Sequence, residues 1–149
     1  MGLGQLDNLV RIRQLKLEAP AQAELDGLMR SGRARLKDSQ LENLSLDSRF
    51  DLAYNAAHAF SLAALRWHGY RSENRFTVFQ CLEHTLRLPS AEWRVLDQAH
   101  RKRNVAEYEG HLDVDKSLVE ALIRVAQEVA SRVGGLGPVV VGHHSNSQS

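Results

Sequence analysis

Six alanines, Ala53, Ala56, Ala57, Ala59, Ala63 and Ala64, stand among large apolar side chains in residues 51–70, D-L-A-Y-N-A-A-H-A-F-S-L-A-A-L-R-W-H-G-Y. Alanine is the strongest helix former, and a helix carrying this many small side chains lets its neighbours approach closely. Phe50, Tyr54, Phe60, Leu65 and Trp67 are the side chains expected to fill the remaining space. Such a helix belongs at the centre of a bundle. Ser45, Asp47 or Ser48 stands ready to cap it, with Asp51 in its first turn. Gly69 ends it by supplying a backbone that tolerates positive φ.

The segments around it also read as helices. Residues 1–19 hold Leu3, Leu6, Leu9, Val10 and Ile12 among charges, which suits a short amphipathic helix or an N-terminal arm. Pro20 fits a helix first turn, and residues 21–43 follow with Ala23, Leu25, Leu28, Met29, Leu36 and Leu41 as expected buried positions. Gly32 is expected to bend or divide that helix, and Arg30, Arg33, Arg35 and Lys37 read as its solvated flank. A further helix is predicted over 75–86, built on Phe76, Val78, Phe79, Leu82 and Leu86 and followed by Pro89. Ser90 is then the expected cap of a helix through 93–110. Asp113 or Asp115 opens a last helix with a stripe of Leu118, Leu122, Val125, Ala126 and Val129, closed by Gly134, Gly135, Gly137 and Pro138. Nothing before this point alternates with period two, so no strand is expected. Residues 135–149 read as a Gly- and Ser-rich disordered tail, with a short strand at Val139 to Val141 as the alternative, and His143 with His144 lack the further ligands of a metal site.

With 149 residues there is room for one domain. The expected organisation is an arm at 1–19, an all-α, antiparallel up-and-down bundle of four to five helices at 20–134, and a tail at 135–149. A formal charge of +1 gives no support for wholesale electrostatic binding to nucleic acid or anionic membrane, so any basic patch must be local. The lone cysteine, Cys81, fits a reducing cytoplasm and sits among apolar neighbours as a packed thiol. No apolar run approaches membrane-spanning length, and the expected setting is cytoplasmic, away from the membrane.

Chemistry concentrates in W-R-V-L-D-Q-A-H-R-K-R-N-V-A-E-Y-E-G at 93–110. At about 100° per residue, His100, Arg103, Asn104, Glu107 and Tyr108 fall within roughly 140° of arc. Trp93 and Leu96 continue that face toward the core. One reading pairs Arg103 with Glu107 one turn on and leaves Arg101 and Lys102 as a solvated flank. The other gives Arg103, Asn104 and Tyr108 a phosphate or base to hold, because asparagine is a poor mid-helix residue. Glycine-rich phosphate loops, H-E-x-x-H, paired Cys-x-x-Cys and serine elbows are all missing, which removes most familiar enzyme classes, and no metal or cofactor motif is found.

The segments D-S-R-F-D-L-A-Y-N-A-A-H-A at 47–59, G-Y-R at 69–71, V-F-Q-C-L-E-H-T-L at 78–86 and R-K-R-N-V-A-E-Y-E-G at 101–110 together resemble bacterial HEPN-domain proteins, over about 46–133. The resemblance implies an antiparallel helical bundle that commonly forms a homodimer. Many such proteins are metal-independent RNases of toxin–antitoxin, antiphage or RNA-processing systems. Others are non-catalytic nucleotide-binding or assembly partners, often of a small nucleotidyltransferase that serves as antitoxin. The signature of active members is Arg, a polar residue, a short gap and His. Arg103 and Asn104 match its start, Tyr108 stands where His is usual, and His111 lies beyond the spacing and past Gly110. The resemblance thus implies catalytic roles for Arg103, Asn104 and Tyr108, with His100, Arg101, Lys102, Glu107 and His111 lining a substrate cleft between two protomers. Both functions stay open: a toxin-type RNA-binding protein or endoribonuclease, and a non-catalytic partner.

Overall fold

The computed structural model describes residues 3–140. In chain order the elements are α1 (Leu3–Arg11), β1 (Lys16–Leu17), α2 (Gln22–Ser39), α3 (Leu46–Trp67), β2 (Tyr70–Arg71), α4 (Arg75–Gln80), α5 (Leu82–Thr85), α6 (Ser90–Glu109) and α7 (Lys116–Gly134). Among the described residues the fold is all-α, a helical bundle with a single two-residue strand pair. No helix among the described residues is long and apolar enough to cross a membrane.

The alanine-rich helix is the axis. α3 packs mainly against α2 and α7, and α4, α5 and α6 close its remaining sides. Ala53, Ala56, Ala57, Ala63 and Ala64 are fully buried, as are Phe50, Tyr54, Phe60 and Leu65, whereas Trp67 remains partly exposed. Among the three expected caps, Ser45 is the one used: its hydroxyl accepts from the Ser48 amide at 3.1 Å. Gly69 follows the helix with φ of 90°. At the start of α7 the Asp115 side chain accepts from Leu118 N at 2.8 Å.

Four expectations are corrected. Gly32 neither bends nor divides α2, which runs unbroken from Gln22 to Ser39. The glycine is buried where a Cβ would come within 2.5 Å of the Phe60 ring, so its role is to let that ring lie against the α2 backbone. Because α2 stops at Ser39, Leu41 lies past its end and is exposed, and Ala23 is exposed at its start. The helix expected over 75–86 is broken at Cys81 into α4 and α5. Val78, Phe79, Cys81, Leu82, Thr85 and Leu86 are buried on both sides of the break. Ser90 is the first residue of α6, after Pro89, and makes no capping bond.

A strand pair also forms where none was expected. Lys16 pairs with Arg71 and Leu17 with Tyr70 in antiparallel register. Two residues per strand are too few to leave a period-two pattern. The pair fastens the N-terminal segment to the bundle beside a second apolar cluster of Leu6, Leu15, Leu65, Tyr70, Val78 and Cys81. Arg66 completes the attachment. Only 1% exposed, its guanidinium donates to Glu24 Oε1 (2.9 Å) and to the carbonyls of Glu18 (2.8 Å), Ala19 (2.8 Å) and Tyr70 (3.2 Å). Val139 and Val140 join no strand; Val141, His143 and His144 lie outside the described residues.

Candidate functional site

The site forms where α3, α4 and α6 meet. α6 begins as a core helix, burying Leu96 and Ala99, with Trp93 in edge contact with Phe76. One turn later His100 reaches the α3 surface. Its Nδ1 lies 3.0 Å from the Tyr54 phenol oxygen, and its Nε2 lies 3.1 Å from Asn104 Nδ2. An amide donor opposite Nε2 places the ring proton on Nδ1, where it is donated to Tyr54. Burial holds the His100 imidazole below its ordinary range; Asp97 pulls the other way, and Arg75 and Arg103 reinforce the burial. Burial likewise raises the Tyr54 phenol, against the pull of Arg75 and Arg103. The chain Asn104–His100–Tyr54 is therefore neutral near pH 7.

Two guanidinium groups converge on this chain. The Arg103 Cζ stands 4.9 Å from the Tyr54 ring centroid and the Arg75 Cζ 5.5 Å from it. Tyr54 is fully buried, so both cations lie against a desolvated aromatic face. Arg75 also donates to Asn55 Oδ1 at 3.1 Å. Arg103 donates to Asp51 Oδ1 at 3.1 Å, across helices, in place of the Glu107 partner that spacing along α6 suggested. Asp51 is largely exposed, and such ion pairs contribute only about 0–1 kcal/mol, so an incoming phosphate can compete for Arg103.

His58, one turn beyond Tyr54, stands edge-on to Phe79 at 6.0 Å between centroids. Its Nε2 is buried with no hydrogen-bond partner, and burial, with Arg75 and Arg103 adding to it, depresses its pKa to about 4.

Of the other residues predicted for the site, Glu107 is near enough to act electrostatically on His100 and Tyr54, whereas Arg101, Lys102, Tyr108 and His111 are not gathered here. The last turns of α6 overhang the bundle: Asn104, Val105, Glu107 and Glu109 are exposed, and Tyr108 is 91% exposed. Within one chain, Tyr108 thus stands apart from the Arg103–Tyr54 cluster. Arg101, itself exposed, pairs with the largely buried Asp97 at 2.9 Å, and Lys102 pairs with the exposed Asp113 at 3.5 Å. His111 lies exposed beyond Gly110, where the backbone turns with φ of 79°. In the opposite direction, the structure adds Asp51, Tyr54, Asn55, His58 and Arg75. The first four recur at helical spacing on α3, a polar row on a helix otherwise rich in alanine. Among the described residues no group of three or more His, Cys, Asp or Glu side chains is placed to hold a metal ion.

Cys81 is buried, and burial pushes its thiol up to about 12, which leaves it unreactive near neutrality.

No protein-family model, curated protein or solved structure matches the chain.

Proposed function

We propose that this chain is a HEPN-type, RNA-directed protein that cleaves RNA without a metal ion at the Arg103–Tyr54–His100 cluster. The observation that carries the reading is the placement of His100, held by Tyr54 beside two arginines. In this scheme Arg103, exchanging Asp51 for the scissile phosphate, and Arg75 stabilise the added negative charge. Asn104 is exposed and can swing aside, which frees His100 Nε2 to take the proton of the RNA 2′-hydroxyl. The 2′-oxygen forms a bond to phosphorus, the bond from phosphorus to the 5′-oxygen breaks, and the leaving oxygen gains a proton from solvent. The products are a 2′,3′-cyclic phosphate and a 5′-hydroxyl. A homodimer that brings the two overhanging α6 ends together would give Tyr108 a base to stack on across the cleft.

A second reading is favoured by one contact. Asp51 already occupies Arg103, as suits a polar row that only completes a helical interface in a non-catalytic assembly partner of a small nucleotidyltransferase. Incubating a mixed RNA pool with the protein in EDTA separates the two. Cyclic-phosphate ends from wild type, lost at least about 100-fold in Arg103→Ala of equal helicity, support cleavage. Intact RNA beside an active control overturns it and leaves the partner reading.

A further inference from the structure

A cavity of about 500 Å³ opens on another part of the bundle, between α2, the C-terminal end of α3 and the C-terminal end of α7. Trp67, which lines it, follows Tyr54 by thirteen residues, or about 20 Å along α3 at 1.5 Å per residue. The cavity is therefore separate from the His100 cluster. Its volume lies within the range of small-molecule sites, about 300–1,000 Å³.

The walls divide by chemistry. Leu25, Met29 and Val133 supply apolar surface, and Trp67 is fixed by an indole N–H donated to Gly137 O at 3.1 Å. Arg30 and Arg33 line the same space. Arg66, Arg71, Arg101, Arg103 and Arg132 each meet a carboxylate, but Arg30 and Arg33 make no ion pair or side-chain hydrogen bond among the described residues. They stand three apart on α2, which puts their Cβ atoms about 5–6 Å apart and leaves two like charges adjacent. Asp26, one turn before Arg30, is the only acidic side chain in the lining; it accepts from Gln22 Nε2 at 2.9 Å, and the two guanidinium groups outweigh its single negative charge. An anion between the two guanidinium groups would relieve their repulsion, and an aromatic body would cover the apolar wall beside the indole.

We propose that this cavity binds a small aromatic anion, its phosphate or carboxylate between Arg30 and Arg33 and its ring system against Trp67, Leu25 and Met29. Indole N–H resonances of the ¹⁵N-labelled full chain test this directly, with Trp93→Phe identifying the Trp67 signal. The probes are 1-naphthyl phosphate, 1-naphthoate, adenosine 5′-monophosphate, adenosine and inorganic phosphate. At least one of the three aromatic anions is expected to shift the Trp67 signal saturably, and which of them does so separates phosphate from carboxylate and nucleotide from simple arene. Adenosine and phosphate alone should bind at least about tenfold more weakly, as should all probes to Arg30→Ala/Arg33→Ala. Arg103→Ala, whose lesion lies in the other site, should bind like wild type, so failure of the RNA-cleavage reading leaves this one standing. No saturable shift from any aromatic anion, equal binding of phosphate alone, or unchanged binding by the double variant overturns the proposal.

Discussion

The Tyr54 phenol oxygen and His100 Nδ1 stand 3.0 Å apart and join the central helix to α6. Tyr54 is fully buried, so this bond is formed inside the bundle, whereas the other imidazole nitrogen meets the exposed Asn104. The Tyr54 hydroxyl thereby fixes the direction of the histidine, and the Asn104 amide its tautomer.

Tyr54→Phe tests that relationship. The ring and its contacts with the arginines are retained while the hydroxyl is lost, leaving a part-buried His100 nitrogen without its partner. Stability should fall by about 1 kcal/mol, measured by urea denaturation. The His100 ring resonances should shift and broaden as the imidazole loses its fixed direction, and any RNA cleavage should drop further than the stability change explains. Unchanged ring resonances would mean that the Tyr54 bond does not set that direction.

The chain should lose stability in acid before ordinary carboxylates titrate. His58 has a folded pKa of about 4 against 6.5 ordinarily, so between those values the unfolded chain binds more protons. Its contribution is complete above about pH 6.5, declines as pH falls toward 4, and at its greatest amounts to about 3 kcal/mol. His68 and His100, both lowered chiefly by burial, act in the same direction. Denaturation midpoints from pH 7 to 4 should therefore fall more gently in His58→Gln than in wild type.

The parts of the fold that were legible in the sequence are those governed by local pattern. The alanines announced a central helix, Gly69 its end, and Ser45 and Asp115 were among the named caps. What was not legible depends on partners distant in sequence. Gly32 reads locally as a weak point, and only Phe60, on another helix, gives it a packing role. At the site, Arg103, Asn104 and His100 stood out within one helix. Tyr54 reads as core and nothing local singles out Arg75, because both act across helix junctions. The recurrence of Asp51, Asn55 and His58 on an alanine-rich helix was the available signal for that side of the cluster.

Gly32→Ala should destabilise the chain although alanine is the better helix former. The gain in helix propensity is about 1 kcal/mol, but the new Cβ would stand 2.5 Å from a fully buried Phe60 ring that has nowhere to retreat. The net cost should be about 1–2 kcal/mol. Combining it with Phe60→Leu should cost less than the two single changes added together, a coupling that a double-mutant cycle measures.

Arg66 and Arg71 share Glu18 and Glu24 as partners but differ in burial. Burial alone would raise the Glu24 carboxyl; hydrogen bonds from Arg71 and Arg66 outweigh it and hold the pKa below the ordinary value. Arg66→Met strips the only side-chain donor seen at the Glu18 and Ala19 carbonyls and should cost about 3–5 kcal/mol. Arg71→Met, at the partly exposed end, should cost about 1 kcal/mol or less. Urea denaturation of the two variants compares them, and equal losses would show that the buried position of Arg66 is immaterial.

Tyr108 provides the contrast between what supports the fold and what the fold presents. At 91% exposed and beyond the buried part of α6, it touches too little of its own chain to matter for stability. Tyr108→Ala should change the unfolding free energy by less than about 0.5 kcal/mol, whereas Leu96→Ala on the same helix should cost about 2–5 kcal/mol. Val105, 48% exposed, stands three residues before it on the overhang. If the proposed homodimer uses this end of α6, Val105→Asp with Tyr108→Ala will lower the sedimentation mass to that of one chain while far-ultraviolet dichroism stays unchanged. A dimer mass that survives both substitutions would place the contact elsewhere, and Tyr108 would then have no aromatic role in a shared cleft.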